Sequence, residues 1–121
     1  MKPSEIILKD KNSIRDGADK VLASISKIIN DKAGLLLQQN DSVLLMINLG
    51  EGNVELHLYT LDQPMKLARS LKYFIDKIKA SDLKRVYGSI EFDSPIVRML
   101  KDFGIDIQKS DKPKYQWMAN V

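Results

Sequence analysis

A strand-like stretch in the middle of the chain carries an acid and the only histidine, Glu55 and His57. Apolar and polar residues alternate over residues 54–59, a pattern that predicts a half-buried strand. Side chains two positions apart on a strand lie on the same face, so we expect Glu55 and His57 to be neighbours. Histidine titrates near neutral pH and is suited to accept a proton from a reactant. The pair is the first candidate site, although a lone histidine on a strand is more often a surface or core residue.

The composition excludes several other kinds of chemistry. The chain has no cysteine, which excludes disulfides and thiolate catalysis, and with one histidine and no acidic loop of ligand spacing we expect no metal site. The sequence contains neither a nucleotide-hydrolase phosphate loop nor a nucleophile elbow. A formal charge of +3, with the two signs alternating along the chain, favours an anionic partner such as a cofactor phosphate over a nucleic-acid surface.

The chain is also ordinary for a globular protein. Apolar residues make up 44% and charged residues 29% of 121 residues, enough for one hydrophobic core, so we expect one domain over residues 1–121. No apolar run approaches the length of a membrane span, and residues 1–10 lack the features of a signal peptide. We therefore expect an intracellular protein without a membrane partner, or one that is assembled inside a cell.

The N-terminal third predicts one short strand and one long helix. Glu5 to Leu8 is an apolar run typical of an edge strand. Ser13 is predicted to cap a long helix, with the side chain of Asp16 reaching back to it. Gly34 is predicted to end that helix in the left-handed conformation. The apolar face recurs at helical spacing through Ile14, Ala18, Val21, Leu22, Ile25, Ile28 and Ile29.

A hairpin and a crossover follow. Leu35 to Gln39 and Val43 to Leu49 predict two strands joined by a polar turn, and the strand of Glu55 and His57 comes next. Pro64 marks the first turn of a second helix, with Asp62 or Gln63 as its cap. This helix leads into a strand at Arg85 to Ile90, which predicts parallel pairing.

The last quarter predicts a short helix and two strands. Asp93 or Ser94 caps the helix and Gly104 ends it, and strands follow at Ile105 to Gln108 and at Tyr115 to Met118. Trp117 lies in the last strand, where it closes the core or contributes to an interface. The predicted order β-α-β-β-β-α-β-α-β-β describes an α/β fold with a mixed sheet: antiparallel strands first, then a parallel crossover, then a terminal hairpin.

Two segments of the second half, together with this order, resemble the GNAT (Gcn5-related N-acetyltransferase) family. The segment Asp93 to Ile105 resembles the family's helix after the fifth strand, with Asp93 at the position of an Asn and Phe103-Gly104-Ile105 at the family's Leu-Gly-Phe-like ending. The segment Gln63 to Ala68 falls at the cofactor loop, where Gln63 and Ala68 match and Lys66 replaces a Gly. The resemblance implies a three-layer GNAT-like fold.

The resemblance also implies a site. Acetyl coenzyme A (acetyl-CoA) would bind at Gln63, Lys66, Ala68 and Arg69, and Glu55 or His57 would be the general base. The Gly of the family lets backbone N–H groups approach the pyrophosphate, whereas Lys66 offers a point charge instead. Lys66 and Arg69 are equally explained as the solvated basic face of their helix. Leu100 lies where the family often has a Tyr that protonates the departing thiolate, and Tyr87 and Tyr115 are interpreted as packing residues.

Three hypotheses of function follow from these residues. The leading one is a GNAT-like protein with lost or weak acetyl transfer that acts by binding or assembly with other protein subunits, similar to small bacteriophage-encoded members, some of them virion components. The second is an active acetyl-CoA-dependent N-acetyltransferase. The third is a small nucleic-acid or protein-binding module, whose binding would be sensitive to salt and indifferent to coenzyme A.

Overall fold

The computed structural model describes all of residues 1–121 as five helices around one six-stranded sheet. The helices are α1 (Pro3–Lys9), α2 (Lys11–Asp16), α3 (Ala18–Asn30), α4 (Pro64–Lys79) and α5 (Pro95–Asp102). The strands are β1 (Gly34–Gln39), β2 (Ser42–Gly50), β3 (Asn53–Thr60), β4 (Arg85–Gly88), β5 (Ile107–Lys109) and β6 (Trp117–Asn120). None of the helices has the combination of length and apolar character that crossing a membrane requires.

The sheet has the strand order β1-β2-β3-β4-β6-β5. The predicted hairpin of β1 and β2 is confirmed, and all neighbouring strands are antiparallel except β3 and β4, which pair in parallel. A parallel pair needs a crossover connection, and α4 supplies it as the sequence predicted. The order places β3 and β4 in the centre of the sheet.

Both faces of the sheet are covered, so the fold has three layers. Phe74 and Ile78 of α4 and Val97 of α5 pack with alternate residues of the strands on one face. On the other face, Ile6 and Ile7 of α1 and Ile25 of α3 pack on β2. The α/β three-layer architecture is therefore confirmed, with two separate apolar clusters divided by the sheet.

The helices on the first face form where their sequences predicted. Pro64 opens α4, and its missing N–H leaves no donor unpaired at that position. Ser94 caps α5 by accepting a hydrogen bond of 3.2 Å from the backbone N–H of Val97. Gly104, with φ of 87°, follows the end of α5 in the left-handed conformation.

The predicted N-terminal strand is wrong, because residues 5–8 lie within helix α1. Pro3 at the first helical position and Glu5 in the first turn favour a helix start, and Lys9 lies in the last turn. A run of three apolar residues is too short to distinguish the two periods. Ile6 and Ile7 are both buried, on α3 and β2, so the sheet begins with β1 instead.

The predicted long helix is also wrong in its first turns. Asp10, not Ser13, caps α2 by accepting hydrogen bonds from the backbone N–H groups of Asn12 and Ser13. Gly17, with φ of 92°, then separates α2 from α3. The break turns Ile14 out of the apolar face, and its side chain is exposed.

Gly34 does not end the N-terminal helix. Lys32, with φ of 56°, takes the left-handed conformation there, and Gly34 opens β1. A Cβ at position 34 would meet Ile28 and the backbone carbonyl of Met46, so close packing and not a turn explains this glycine.

Strand boundaries in the last third of the chain also differ from the prediction. The strand predicted to run to Ile90 ends at Gly88, the one predicted from Ile105 begins at Ile107, and the one predicted from Tyr115 begins at Trp117. The pairing of β4 with β6 ends at Gly88 and Trp117. Next to that pair, the backbone N–H of Gln116 donates to the carbonyl of Gly88 at 2.9 Å. Tyr115 therefore lies in the loop before β6.

Candidate functional site

The two central strands separate part of the way along their length. The parallel pairing of β3 with β4 runs from Asn53 and Arg85 to Leu56 and Gly88. Beyond that point β4 has ended, while β3 continues to Thr60 with only β2 as its neighbour. The carboxyl ends of parallel strands are where sheets of this kind bind ligands. His57 is the first residue of β3 past the separation.

On the face covered by α4 and α5, an apolar slot lies at the level of this separation. Its cavity volume is about 50 Å³. The slot is lined by Leu44, Leu56, Leu58, Leu71, Phe74, Ile75, Ile78, Gly88, Ile90, Ile96, Leu100 and Trp117. Leu100, at the position where the resemblance places a proton-donating Tyr, is therefore in the slot and has no proton to give. Trp117 is the only lining residue whose side chain has a polar atom, the indole nitrogen, and that nitrogen is buried.

On the opposite face, the structure brings Glu55 and His57 into direct contact. His57 Nε2 forms a hydrogen bond with Glu55 Oε2, and the hydroxyl of Tyr115 donates to Glu55 Oε1. The ammonium of Lys114 lies 3.6 Å from Glu55 Oε1. The Glu55 side chain is 9% exposed and that of His57 32%, so the acid is buried beneath the histidine. We call these four residues the acid–histidine cluster.

The contacts of Glu55 set its protonation. Burial raises the pKa of its carboxyl, but the hydrogen bonds from Tyr115 and His57 and the charges of His57 and Lys114 outweigh burial and hold the pKa below its ordinary value. Glu55 is therefore ionised at neutral pH and is a weak base. Burial and the bond to Glu55 raise the pKa of Tyr115 to about 12, so Tyr115 remains a donor.

An ionised Glu55 determines which nitrogen of His57 is free. The carboxylate requires a donor, so Nε2 carries a proton in either protonation state, and when the ring is neutral its lone pair lies on Nδ1. Nδ1 forms no hydrogen bond with another residue of the chain. The predicted neighbours therefore form an oriented carboxylate–imidazole pair with one free acceptor.

Tyr115 is a residue that the sequence analysis missed. Its ring packs on Tyr87 with 5.2 Å between centroids, which agrees with the interpretation of both as packing residues. Its hydroxyl, however, reaches an acid 60 positions away. No local pattern indicates this contact. The pairing of β6 with β4 creates it, because that pairing brings the β5–β6 loop to the end of β4.

His57 lies in an open groove between β3 and the N-terminal helices. The groove has a volume of about 310 Å³. Its wall on α3 and β2 is mostly apolar, and Asp16 and Tyr59 line it together with His57. Lys20 lines the groove as well. Burial and the negative charges of Asp10, Asp16 and Glu55 raise the pKa of Tyr59, so its hydroxyl stays protonated at neutral pH. No three His, Cys, Asp or Glu side chains lie close enough together to hold a metal ion.

The four residues predicted to hold a cofactor lie at the start of α4. Gln63 is the N-cap residue but makes no capping hydrogen bond, and Lys66 and Arg69 are exposed, while Ala68 is half-buried. The first N–H of this region to bond within the chain is that of Leu67, which donates to the carbonyl of Gln63 at 2.8 Å. The N–H groups of Met65 and Lys66 are therefore free and exposed at a helix N-terminus, an arrangement that favours anions.

Comparison with known proteins gives matches in structure only. The sequence matches no protein-family model and no curated protein. The structure is similar to that of yncA from Salmonella typhimurium, described as an acetyltransferase and solved with its cofactor acetyl-CoA, with TM-score 0.55, 12% identity and coverage of 86% of this chain and 71% of that one. It is also similar to an N-acetyltransferase from Staphylococcus aureus Mu50, with TM-score 0.54, 10% identity and coverage of 86% and 76%.

A third similar structure covers nearly the whole chain. The IAA acetyltransferase from Bacillus cereus ATCC 14579 matches with TM-score 0.54 and 10% identity over 99% of this chain and 93% of that one. Identities this low show the fold alone. The chain has the fold of the GNAT acetyltransferases.

Proposed function

We propose that this protein binds an acyl-CoA between β3 and β4 and transfers the acyl group slowly to an amine. The observation that carries the proposal is the separation of the two strands after Leu56 and Gly88, with the apolar slot on one face and His57 at the same level on the other. A thioester held in the gap would be open to the slot on one side and to a proton acceptor on the other.

The residues present fit coenzyme A. The free N–H groups of Met65 and Lys66 and the charges of Lys66 and Arg69 are suited to its phosphates, which supports the cofactor positions predicted at Gln63, Lys66, Ala68 and Arg69. The apolar lining of the slot is suited to the thiol end of the pantetheine arm, which must widen the slot beyond its volume of about 50 Å³ to enter it. When bound, acetyl-CoA supplies an acyl group activated as a thioester, which an amine displaces with release of the thiol.

His57 is the proton acceptor of this proposal. Nδ1 takes the proton that the amine loses, while Glu55 holds Nε2–H and stabilises the imidazolium that results. Tyr115 and Lys114 in turn hold the Glu55 carboxylate. Glu55 itself is a poor base because its lowered pKa favours the ionised form. The sequence predicted a general base at Glu55 or His57. In this proposal His57 is the base and Glu55 is the residue that positions it.

Transfer is proposed to be slow because one half of the acid–base pair is missing. Leu100 lines the slot without a proton to donate, and no ionisable side chain replaces it there. General acid catalysis contributes about 10²–10⁴-fold to a rate. The departing thiol must take its proton from water, and the rate falls accordingly.

Titration calorimetry with acetyl-CoA and with coenzyme A is the first test. We expect saturable binding of both, and absence of binding at millimolar ligand refutes the proposal. Release of free thiol is then followed with a panel of primary amines, with reactions lacking amine or protein as controls. Amine-dependent release above both controls supports transfer.

The second candidate is binding or assembly without transfer. Leu100 in the slot and Lys66 in place of the family's Gly favour it. This is the role predicted by the likeness to bacteriophage-encoded members. This candidate requires that no thiol is released, whether or not acetyl-CoA binds. It also requires that the chain forms a stable complex with a second copy or with another protein. Mass in solution tests it, since a monomer that co-purifies with nothing and transfers acetyl groups contradicts it.

A further inference from the structure

Trp117 carries a buried donor with no partner. Its side chain lies in the core at 3% exposure, and its Nε1–H makes no hydrogen bond. The only other buried polar side-chain atom without a partner is Ser13 Oγ. Leaving a buried donor unsatisfied costs about 1–3 kcal/mol, and native proteins contain few such groups. Trp117 Nε1 therefore requires an explanation.

The position of the indole places this donor at the strand separation. Trp117 of β6 pairs with Gly88, the last residue of β4. A Cβ at position 88 would overlap Cε2, Cζ2 and Nε1 of the indole, so the edge of the ring that bears the nitrogen lies directly over Gly88. Gly88 and Trp117 both line the apolar slot. The N–H thus lies where β3 and β4 separate.

Water does not satisfy this donor well. A buried water typically makes two to four hydrogen bonds. The slot offers no other polar side-chain atom, since its remaining side chains are those of Leu, Ile and Phe. An occupant of the slot that brings its own acceptor would satisfy this donor without needing further polar side chains.

We propose that Trp117 Nε1–H donates a hydrogen bond to a carbonyl oxygen of the acyl-pantetheine arm. This inference rests on the proposed function and deepens it by naming the group that positions the arm. A pantetheine arm alternates short apolar segments with two amides, and an acylated one adds the thioester carbonyl, so a carbonyl of its thiol end is the acceptor that an apolar slot with one donor can take. A site built around such a donor discriminates against ligands that lack the acceptor.

The single tryptophan makes the hydrogen bond directly measurable. Labelling with ¹⁵N gives one indole N–H cross-peak in the NMR spectrum of the whole chain. We expect that peak to move downfield on saturation with coenzyme A or acetyl-CoA and to stay in place with ADP, which has phosphates and no pantetheine arm. A downfield shift with acetyl-CoA alone assigns the acceptor as the thioester carbonyl, and equal shifts assign an amide.

A shape-matched replacement tests the energetic contribution. Benzothienylalanine, in which sulfur replaces the indole N–H, can be incorporated at the single tryptophan position. We expect it to weaken coenzyme A binding by about three- to tenfold, the loss expected for one hydrogen bond, without changing ADP binding. Trp117→Phe serves as a second variant, with thermal unfolding as its check on folding.

The outcomes separate the two proposals. If calorimetry detects no binding of coenzyme A, the proposed function fails and this inference fails with it. If coenzyme A binds but the indole peak does not move and the sulfur analogue binds equally well, the inference is overturned while the proposed function stands. A shift with every ligand, ADP included, also overturns it, because it reports a general change in the protein.

Discussion

The two faces of the sheet differ sharply at the point where β3 and β4 separate. The face under α4 and α5 has the apolar slot, and Trp117 is the only lining residue whose side chain has a polar atom. The face toward α1, α2 and α3 has the acid–histidine cluster, in which every side chain carries a proton donor or acceptor. Strand alternation creates this contrast, because Leu56 and Leu58 point to one face and Glu55 and His57 to the other.

This contrast implies that the chain divides the proposed reaction between the two faces of its sheet. Proton chemistry is confined to one face, and binding of the apolar arm to the other. In an enzyme with a complete acid–base pair, both faces would carry a titratable group at the gap. Here only the face that carries His57 has titratable side chains at the gap. Substitutions at His57 should therefore alter the rate of acyl transfer and leave coenzyme A binding unchanged. Substitutions at Gly88 or Trp117 should alter stability or the binding of coenzyme A.

The largest expected effect is that of His57→Ala on transfer. Removing the proton acceptor should lower the amine-dependent rate at saturating acetyl-CoA by about 100-fold, the scale of a general base. The dissociation constant of acetyl-CoA should stay as it is, because His57 lies on the face away from the slot. Thiol release and calorimetry measure the two quantities.

Glu55→Gln is the companion variant to His57→Ala. It keeps a group of the same shape beside His57 but removes the charge that stabilises the imidazolium, so its rate should lie between those of the wild type and His57→Ala. Equal loss of binding and rate in His57→Ala would contradict the division between the faces.

Gly88→Ala should act on the other face and on stability. The added Cβ would overlap the Trp117 indole, and overpacking of this kind destabilises by about 1–3 kcal/mol. Urea unfolding measures the loss. The double variant with Trp117→Phe should lose less than the sum of the two single changes, because the smaller ring gives the methyl group room. Additive losses would show that the two residues do not press on each other.

The parts of the fold with long, regular periods could be predicted from sequence. The apolar face of α4 and the alternation of β3 leave one interpretation each, and both are confirmed. The errors lie where local patterns are short. Three apolar residues at Ile6 to Leu8 satisfy either period, and Gly17 interrupts a helical face that continues on both sides of it.

The candidate site divides in the same way. Contact between Glu55 and His57 follows from strand geometry alone, since they lie two positions apart. The contact of Tyr115 with Glu55 depends on β6 lying beside β4, a long-range pairing that no local pattern encodes. The unpaired N–H of Trp117 is likewise invisible in sequence, because it results from what surrounds the side chain.

Leu100→Tyr tests whether the slot lacks only an acid. A phenol at this position would bring a proton donor to the face that has none. General acid catalysis contributes at least about 100-fold. We expect about a tenfold increase in the rate of thiol release, because fitting the ring into the slot should cost about tenfold. Leu100→Phe is the matched control, with the same ring and no hydroxyl. If both variants change the rate equally, the effect is one of packing and not of proton donation.

Tyr115→Phe should produce the smallest effect, which depends on pH. Burial and the bond to Glu55 raise the pKa of Tyr115 from 10.0 to about 12, so the stability from this hydroxyl is present below pH 10 and is lost as pH rises toward 12. At acid pH the dependence of stability on pH has the opposite sign, because the pKa of Glu55 is lowered and not raised. Burial raises that pKa, but the opposing contributions, of which the hydrogen bond from Tyr115 is the largest, bring it below 4.5. The contribution of ionised Glu55 to the free energy of unfolding is lost as pH falls through that lowered pKa.

Both limbs of the pH profile should therefore flatten in Tyr115→Phe. At neutral pH the variant should lose about 1 kcal/mol of unfolding free energy, the value of one hydrogen bond. Urea unfolding across the pH range measures the profile, and ultraviolet difference absorbance follows tyrosine ionisation, from which one late step should disappear. Tyr73→Phe, on α4 and away from the cluster, is the control and should leave both limbs unchanged. A variant profile parallel to that of the wild type would mean that Tyr115 and Glu55 do not share their proton equilibrium, and the acid–histidine cluster would then consist of Glu55, His57 and Lys114 only.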